Sequence, residues 1–508
     1  MPALDTVSAQ LAPVLDWFEQ EPADDPVEDL AHLRAHFVRL ADPALPGELR
    51  LRCVEQFEGR IVDICERFKP GLLNTTLPLG REVHTATTEL IGALLDVAGG
   101  FLGVLDAVRE RWRSAARSES AALAGRALRL VNEAFVLGCM SGAMAPAGMW
   151  QRAYRLMAAA GIPDGEPQAP GEPAARGAGG NFKRLVALAV LQPESLTARE
   201  LAWIFDYIES VATLGKLAGE PILPEPSAFW MDLATDDAPF ATVRRPPPDR
   251  DGLLHFSARG MARRVGEQIE WLETHVEGVD GGGERAAALI EPDASGLPLG
   301  LTPLEALSLL RRVRDRWSTP PSRGIARRPH QYTVQVCAGL RAIWDMRRLG
   351  ADAVKLAEWM VYNEGPGGYA IMSVSGVEGL LSAGMALALR RDAGQPWTIC
   401  IVRWIRSDSP DQAELGLQVI SQACTAVSIG FRGDDEVHAT SPALILPPVT
   451  GLRGNPAILA PAGSYSSRRF MLVHEGVRLY VAQARVVSLD MQTASVELFQ
   501  YEIDPYPI

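Results

Sequence analysis

Lysine is scarce in this chain of 508 residues, because only four of its 49 basic residues are lysine and the others are arginine. Acidic residues outnumber the basic ones, and the formal net charge is −13. A general nucleic-acid binder needs a basic surface, so we predict that the protein does not bind DNA. Since arginine replaces lysine along the whole chain, a single arginine carries little functional meaning.

Cysteine is also sparse, and no two of the six cysteines have CxxC spacing. Most of them stand inside apolar runs, so we interpret them as reduced core residues of a cytoplasmic protein. His32 and His36 lie one helical turn apart, but no carboxylate completes an HExxH motif with them. We therefore predict neither a bound metal nor a cofactor.

Long hydrophobic runs and targeting segments are missing as well. The first 22 residues contain Asp and Glu but no basic n-region, which argues against a signal peptide. The most apolar stretch, "LIGALLDVAGGFLGVL", is interrupted by Asp96 and by glycines and is too short for a confident membrane span. We expect a cytoplasmic protein without membrane insertion.

Recognisable catalytic motifs are absent from the sequence. No GxSxG, Walker A or GxGxxG motif stands between a strand and a helix, and no carboxylates are distinguished by their spacing. We therefore predict that the protein is not an enzyme. A catalytic site assembled from scattered residues is the least favoured alternative.

The period of the apolar residues changes near residue 320. Helical spacing dominates before that point, and short β-branched segments with turn signals follow it. The predicted fold class is α+β and multidomain, with a largely helical N-terminal region and two small antiparallel β-domains in tandem. The predicted boundaries are a helical domain over 1–160, a mobile linker over 162–181, a helical domain over 182–318, and β-domains over 320–422 and 423–508.

Arginine is concentrated at the start of the β region. Residues 301–350 contain ten arginines and three acidic residues, a local charge of 10 − 3 = +7. Arg311, Arg312, Arg314 and Arg316 lie on a predicted helix, and we interpret them as a solvated helix face. Further arginines lie in "PPSRGIARRPHQY", a segment with Pro and Gly that leads into a strand. Arginine forks bind phosphate through two hydrogen bonds and can hydrogen-bond or stack on guanine.

A second candidate is the turn "NEGPGGY", residues 363–369, which lies between two apolar runs. Its Asn amide offers both a donor and an acceptor. Its glycines allow a ligand or another backbone to approach closely. The segment is predicted to be a turn, and the open question is whether its Asn contacts a ligand.

Taken in order, these segments resemble a PilZ domain, the bacterial receptor module for cyclic-di-GMP. "RGIAR" (323–327) matches RxxxR, and residues 363–368 match the spacing of (D/N)x(S/A)xxG. "WTICIVRWIRSDSPDQAELGLQVI" is similar to the late strands of a PilZ barrel. The resemblance covers about 320–422 and implies a PilZ-like antiparallel β-barrel, followed by a second β-barrel-like domain. The long gap between the two motifs predicts an insertion among the first strands.

The resemblance also implies roles for individual residues. Arg323 and Arg327 would contact the phosphates and a guanine of cyclic-di-GMP, and Asn363 would bond a guanine edge. Gly368 would let the backbone turn beneath the base, and Gly365 stands where the family has Ser or Ala. The predicted site comprises Arg323, Arg327, Arg328, Asn363, Gly365 and Gly368.

The function that the resemblance implies is that of a cyclic-di-GMP effector. Ligand binding at the barrel would be passed through the helical region to an unidentified protein partner. The alternative is a ligand-free adaptor with a degenerate barrel.

Overall fold

A computed structural model of the protein describes most of the chain. Residues 162–176 of the predicted linker lie outside the described residues, and so do Arg323 and Arg327 of the predicted site. The described residues are 11–41, 45–111, 117–161, 177–222, 225–277, 296–321, 328–374, 379–431, 440–449, 451, 453–465, 468–476 and 478–504.

The region before residue 320 is largely helical. Residues 11–18 form a helical segment, and nine longer helices follow within the described residues. They are α1 (Pro26–Phe37), α2 (Gly47–Phe68), α3 (Arg81–Arg111), α4 (Arg117–Met140), α5 (Met149–Ala159), α6 (Ala178–Ala189), α7 (Ala198–Val211), α8 (Arg259–Glu277) and α9 (Pro303–Ser318).

The helical region also contains a small antiparallel sheet that the sequence did not predict. Its strands are arranged in the order β1–β4–β2–β3. All five residues of β2 and of β4 are buried, so neither strand shows the alternating pattern of a half-buried sheet. The strands are β1 (Lys216–Ala218), β2 (Ala228–Asp232), β3 (Phe240–Ala241) and β4 (Leu253–Ser257).

Local sequence explains how the last helix of this region is placed. Thr302 caps α9, and the Glu305 carboxylate accepts from the Thr302 backbone N–H, which forms a capping box. Near its other end, the fully buried Trp317 donates its indole N–H to the Ala187 carbonyl at 3.1 Å. Both the cap and the anchoring tryptophan fix α9 against the helices that precede it.

One cluster of buried apolar side chains, including Val131, Phe182, Ile204 and Trp317, runs through both predicted helical domains. The predicted linker over 162–181 was too long, because residues 178–181 form the buried first turn of α6. Small residues there permit close packing, since a Cβ on Gly125 would lie 3.0 Å from the Ala178 nitrogen. At the end of the predicted linker, the Gly- and Ala-rich composition therefore reflects close packing of helices and not a flexible connection.

Two closed six-stranded antiparallel barrels follow, so the predicted fold class is confirmed. Neighbouring strands are ordered β10–β7–β6–β5–β8–β9 in the first and β11–β12–β13–β16–β15–β14 in the second. The strands are β5 (Arg328–Ala338), β6 (Ala357–Gly365), β7 (Gly368–Ser373), β8 (Ala386–Arg390), β9 (Thr398–Ser409), β10 (Gln412–Ser421), β11 (Thr425–Phe431), β12 (Ser441–Leu446), β13 (Ala457–Pro461), β14 (Arg469–Glu475), β15 (Leu479–Gln492) and β16 (Val496–Ile503).

A helix, α10 (Leu340–Leu349), lies between β5 and β6 at the place of the predicted insertion. The β-branched and apolar sequence "QYTVQVCAGLRAIW" (331–344) predicts a strand over the whole segment, which was wrong beyond Ala338. Ile343 and Trp344 of α10 share a buried cluster with residues of both barrels, including Leu444 and Leu459 of the second. The Trp344 indole donates to the Val427 carbonyl at 2.6 Å, so α10 joins the two barrels.

The helical region is hydrogen-bonded directly to the first barrel. Leu77 and Leu381 exchange two backbone hydrogen bonds of 2.8 and 3.0 Å across an isolated bridge. Ser407 donates its N–H to the Gly142 carbonyl at 2.8 Å. Leu77 precedes α3 and Gly142 follows α4, so these contacts join the ends of both helices to the first barrel.

Within the described residues, the segment Arg81–Asp106 of α3 is long and apolar enough to cross a membrane. However, 61% of its apolar window is buried inside the protein. A helix that is apolar on most sides is typical of a protein core as well as of a membrane span.

Candidate functional site

The segment "NEGPGGY" forms the tip of the hairpin between β6 and β7. Gly365 ends β6 and pairs with Gly368, which begins β7. Pro366 and Gly367 form the two-residue turn between them and are exposed. The prediction of a turn is confirmed by this hairpin.

The end of the arginine-rich segment lies beside this hairpin. In the pairing of β5 with β6, Arg328 is opposite Glu364 and Pro329 is opposite Asn363. The Arg328 side chain is exposed and forms no ion pair or hydrogen bond with a described residue. Arg323 and Arg327 lie outside the described residues, so their contacts remain predictions.

Asn363 lies next to two irregularities in strand pairing. The register shifts between Pro329 and Tyr332 on β5, and between Val361 and Asn363 opposite β7. Bulges of this kind redirect side chains and occur next to functional sites. The Asn363 Oδ1 atom is buried and accepts no hydrogen bond from the residues that the structure describes. A buried acceptor without a donor costs roughly 1–3 kcal/mol, so a ligand N–H at this position would stabilise the site.

Tyrosine and arginine side chains surround the same end of the barrel. The Tyr332 hydroxyl donates to Glu364 Oε2 at 2.8 Å, and the Arg391 guanidinium lies 4.7 Å from the Tyr332 ring centroid. Burial raises the pKa of Tyr332, and the hydrogen bond to Glu364 raises it further, so its hydroxyl is neutral near pH 7. A ring and a guanidinium in this arrangement provide stacking surfaces for a nucleobase.

Gly368 has a structural role that the sequence did not reveal. A Cβ built on Gly368 would lie 1.9 Å from the Leu417 carbonyl oxygen on the adjacent strand β10. Neither Gly365 nor Gly368 has a φ in the left-handed region. Close packing against β10 therefore accounts for glycine at 368, and contact of either glycine with a ligand remains a prediction.

The "VRW" segment, Val402 to Trp404, lies in β9 as the resemblance implies. The Trp404 ring packs over Gly416 of β10, where an added Cβ would lie 1.9 Å from its Nε1 atom. Arg403 belongs to the same strand and is exposed, forming no ion pair or hydrogen bond with a described residue. No motif in the sequence distinguishes this arginine from the many others.

The interpretation of the α9 arginines as a solvated face was wrong for one of them. Arg311 and Arg314 are partly exposed and pair with acidic residues, at 2.7 and 3.0 Å, and Arg312 pairs with Glu200. Arg316, in contrast, has a buried Nη1 atom without a partner. Arg316 lies three residues after the buried Val313, and this helical spacing indicates that it lies on the apolar side of α9.

Metal ligation finds no support in the described part of the chain, where no group of three His, Cys, Asp or Glu could hold an ion. All six cysteines are free, and five of them are buried. Arg328 and Asn363 of the predicted site lie on the neighbouring strands β5 and β6, with Tyr332 close by on β5.

Comparison with known families identifies two parts of the chain. Residues 12–222 match the family model described as the N-terminal domain of the cyclic-di-GMP receptor FimW. Residues 348–426 match the middle PilZ domain of the same receptor. The resemblance to PilZ-type receptors is confirmed. The second match includes Asn363, Gly365 and Gly368, and it begins after the three arginines of the predicted site.

One curated relative is the cyclic-di-GMP receptor FimW of Pseudomonas aeruginosa, which is 27% identical over 199 residues. The alignment covers 38% of this chain and 31% of that protein, so the match spans under a third of the relative's length. No solved structure matches the chain significantly.

Proposed function

We propose that the protein is a cytoplasmic receptor that binds cyclic-di-GMP at the β6–β7 hairpin of its first barrel. The observation that carries the proposal is the buried Oδ1 of Asn363, which has no donor among the described residues. It lies where the PilZ-like motif places a guanine contact. The curated relative is itself named a cyclic-di-GMP receptor.

Each part of the ligand has a group that suits it. A guanine edge carries N–H donors, and the carbonyl oxygen of an Asn side chain can accept a hydrogen bond from them. Arg323, Arg327 and Arg328 supply guanidinium forks for the phosphates and for the guanine faces. Tyr332 and Arg391 offer further stacking surface at the same end of the barrel.

Relay to a protein partner would follow from where the arginines lie in the chain. Residues 322–327 join α9, which is anchored in the helical core, to β5 of the barrel. A ligand that contacts Arg323 and Arg327 would act where the helical region joins the barrel, and it would favour the arrangement of the two that binds it better. The helical region, already hydrogen-bonded to the barrel at Leu77 and Gly142, would present the change to the partner.

A ligand-free adaptor is the second candidate, and Glu364 is the residue that favours it. Its carboxylate lies in the hairpin, opposite Arg328, where a dianionic ligand would approach. The negative charge of Glu364 would repel the phosphates of the ligand. The hydrogen bond from Tyr332 and the neighbouring arginines offset this charge, which is why the receptor is preferred.

We expect Asn363→Ala to weaken cyclic-di-GMP binding about tenfold, which corresponds to the roughly 1.4 kcal/mol of one hydrogen bond. Its melting temperature should stay equal to that of the wild type or rise, because the substitution removes a buried acceptor without a partner. Isothermal titration and thermal unfolding measure the two quantities on the same samples. Gln331→Ala, on the exposed side of β5, is the matched control and should bind like the wild type. Equal affinity for Asn363→Ala and wild type would remove this residue from the site.

Arg323→Ala and Arg327→Ala should each weaken binding by ten- to hundredfold, because each removes a charge-assisted contact worth about 1.5–3 kcal/mol. Neither change should lower the melting temperature. Titrations with GTP and cyclic-di-AMP test whether the ligand is selected. If the wild type shows no binding heat with cyclic-di-GMP at tens of micromolar, the adaptor replaces the receptor as the favoured function.

A further inference from the structure

A cleft of about 220 Å³ lies where the helical region meets both barrels. Its walls include Arg312 and Arg316 of α9, Arg403 of β9, and Thr493 of the second barrel. Small-molecule pockets usually measure at least about 300 Å³, so the cleft is sized for a small group and not for a whole dinucleotide. It is separate from the β6–β7 hairpin.

Two of the three arginines that line this cleft have no acidic partner among the described residues, while Arg312 pairs with Glu200. Neither Arg316 nor Arg403 forms an ion pair or a hydrogen bond with a described residue, and Nη1 of Arg316 is buried without a partner. The lining carboxylate of Asp315 accepts instead from Arg314, at 3.0 and 3.1 Å. Of the other nearby carboxylates, Glu200 pairs with Arg312, and Glu194 lies 4.0 Å from Arg406.

The pKa directions agree with an excess of positive charge. Burial lowers the pKa of Arg316 to about 10, with Arg403 and Arg244 lowering it further and Glu194 opposing them. Much of the Arg403 side chain is exposed. Partial burial still lowers its pKa, and the nearby positive charge of Arg312 lowers it further. Arg316 and Arg403 are both charged at neutral pH, and neither has an acidic partner among the described residues.

We propose that this cleft is an anion site that binds a phosphate group between Arg316 and Arg403. Guanidinium groups from two elements, α9 and β9, can hydrogen-bond the oxygens of one phosphate, and arginine is the residue best suited to hold them. Bound phosphate would join α9 of the helical region to β9 of the barrel and would satisfy the buried Nη1. The group could belong to a free anion or to a nucleotide, and the site does not depend on binding at the hairpin.

The test uses inorganic pyrophosphate and the full-length protein. We expect pyrophosphate to raise the melting temperature of the wild type in a saturable manner, because a ligand that binds only the folded state stabilises it. Arg316→Gln and Arg403→Gln should each bind pyrophosphate at least tenfold more weakly. Arg311→Gln, on the same helix but paired with Glu273 outside the cleft, is the matched control and should respond like the wild type.

A second readout separates an anion site from a structural role. Without added anion, Arg316→Gln should melt at or above the wild-type temperature, because it removes an uncompensated, partly buried charge. No stabilisation of the wild type by pyrophosphate, or an unchanged response in both variants, would overturn the proposal. If Arg316→Gln fails to fold, Arg403→Gln decides alone, because its side chain is exposed.

The source of the phosphate is settled by titrating the same variants with cyclic-di-GMP. Weaker cyclic-di-GMP binding by Arg316→Gln, with Arg311→Gln unaffected, assigns the cleft to a phosphate of that nucleotide. Unchanged cyclic-di-GMP binding, together with lost pyrophosphate binding, assigns it to a free anion. Absence of cyclic-di-GMP binding in the wild type would reject the proposed receptor function, while the pyrophosphate result would stand by itself.

Discussion

Gly368→Ala is expected to destabilise the first barrel by about 3 kcal/mol, the upper end of the usual cost of overpacking. The new methyl group would lie 1.9 Å from the Leu417 carbonyl oxygen. That oxygen belongs to the backbone of β10, so no side-chain rotation can relieve the clash. The strands would have to separate where Leu417 is paired with Tyr369, and their hydrogen bonds would weaken.

Gly367→Ala is the matched control for this prediction. Gly367 belongs to the same hairpin, is exposed, and has no atom within 4 Å of an added Cβ. The free energy of unfolding of the Gly367→Ala protein should stay within about 0.5 kcal/mol of the wild-type value, as for most surface substitutions. Urea denaturation of both variants measures the difference. A Gly368→Ala protein as stable as Gly367→Ala would show that β10 can move aside, and glycine at 368 would then need an explanation from the ligand.

This expectation decides how the binding site can be tested. A Gly368 variant that loses ligand affinity would also have a damaged barrel, so the loss would not identify a contact. Asn363 is the better probe because its side-chain oxygen has no partner among the described residues. Removing it therefore breaks no interaction that stabilises the fold.

Local patterns in the sequence predicted the helices, the change to strands and the hairpin. Periodicity and turn residues act over a few positions, so they can be recognised without knowing the fold. Strands β1 to β4 are between two and five residues long, too short to establish a period. The helix α10 was missed because it follows a strand without a polar break.

Contacts between distant parts of the chain could not be predicted in the same way. The contact of Gly368 with Leu417 depends on barrel closure, and the cleft between Arg316 and Arg403 depends on docking of the helical region. The small residues Ala178 to Gly180 are typical of a linker in isolation. They are buried here because the partner helix α4 presents Gly125 to them.

Trp344→Ala is expected to destabilise the protein by roughly 3–5 kcal/mol, as for other large-to-small core substitutions. Trp344 of α10 is 8% exposed and packs in the cluster shared by the two barrels. Its indole N–H donates to the Val427 carbonyl of β11 at 2.6 Å, and the Arg348 guanidinium lies 4.3 Å from its ring centroid. The substitution leaves a cavity at the junction of the barrels and removes the hydrogen bond to the Val427 carbonyl.

Leu349→Ala, at the end of the same helix, is the control because Leu349 is 71% exposed and should tolerate the change. Differential scanning calorimetry should show the two barrels of the wild type unfolding together, since they share the cluster around α10. In Trp344→Ala the second barrel should unfold at a separate temperature from the first, because the interior clusters of each barrel remain intact. A shift no larger than that of Leu349→Ala would mean that the barrels are stable without their shared core. In that case the packing around α10 would not couple the stability of the two barrels, and ligand binding at the first would not be passed to the second through this helix.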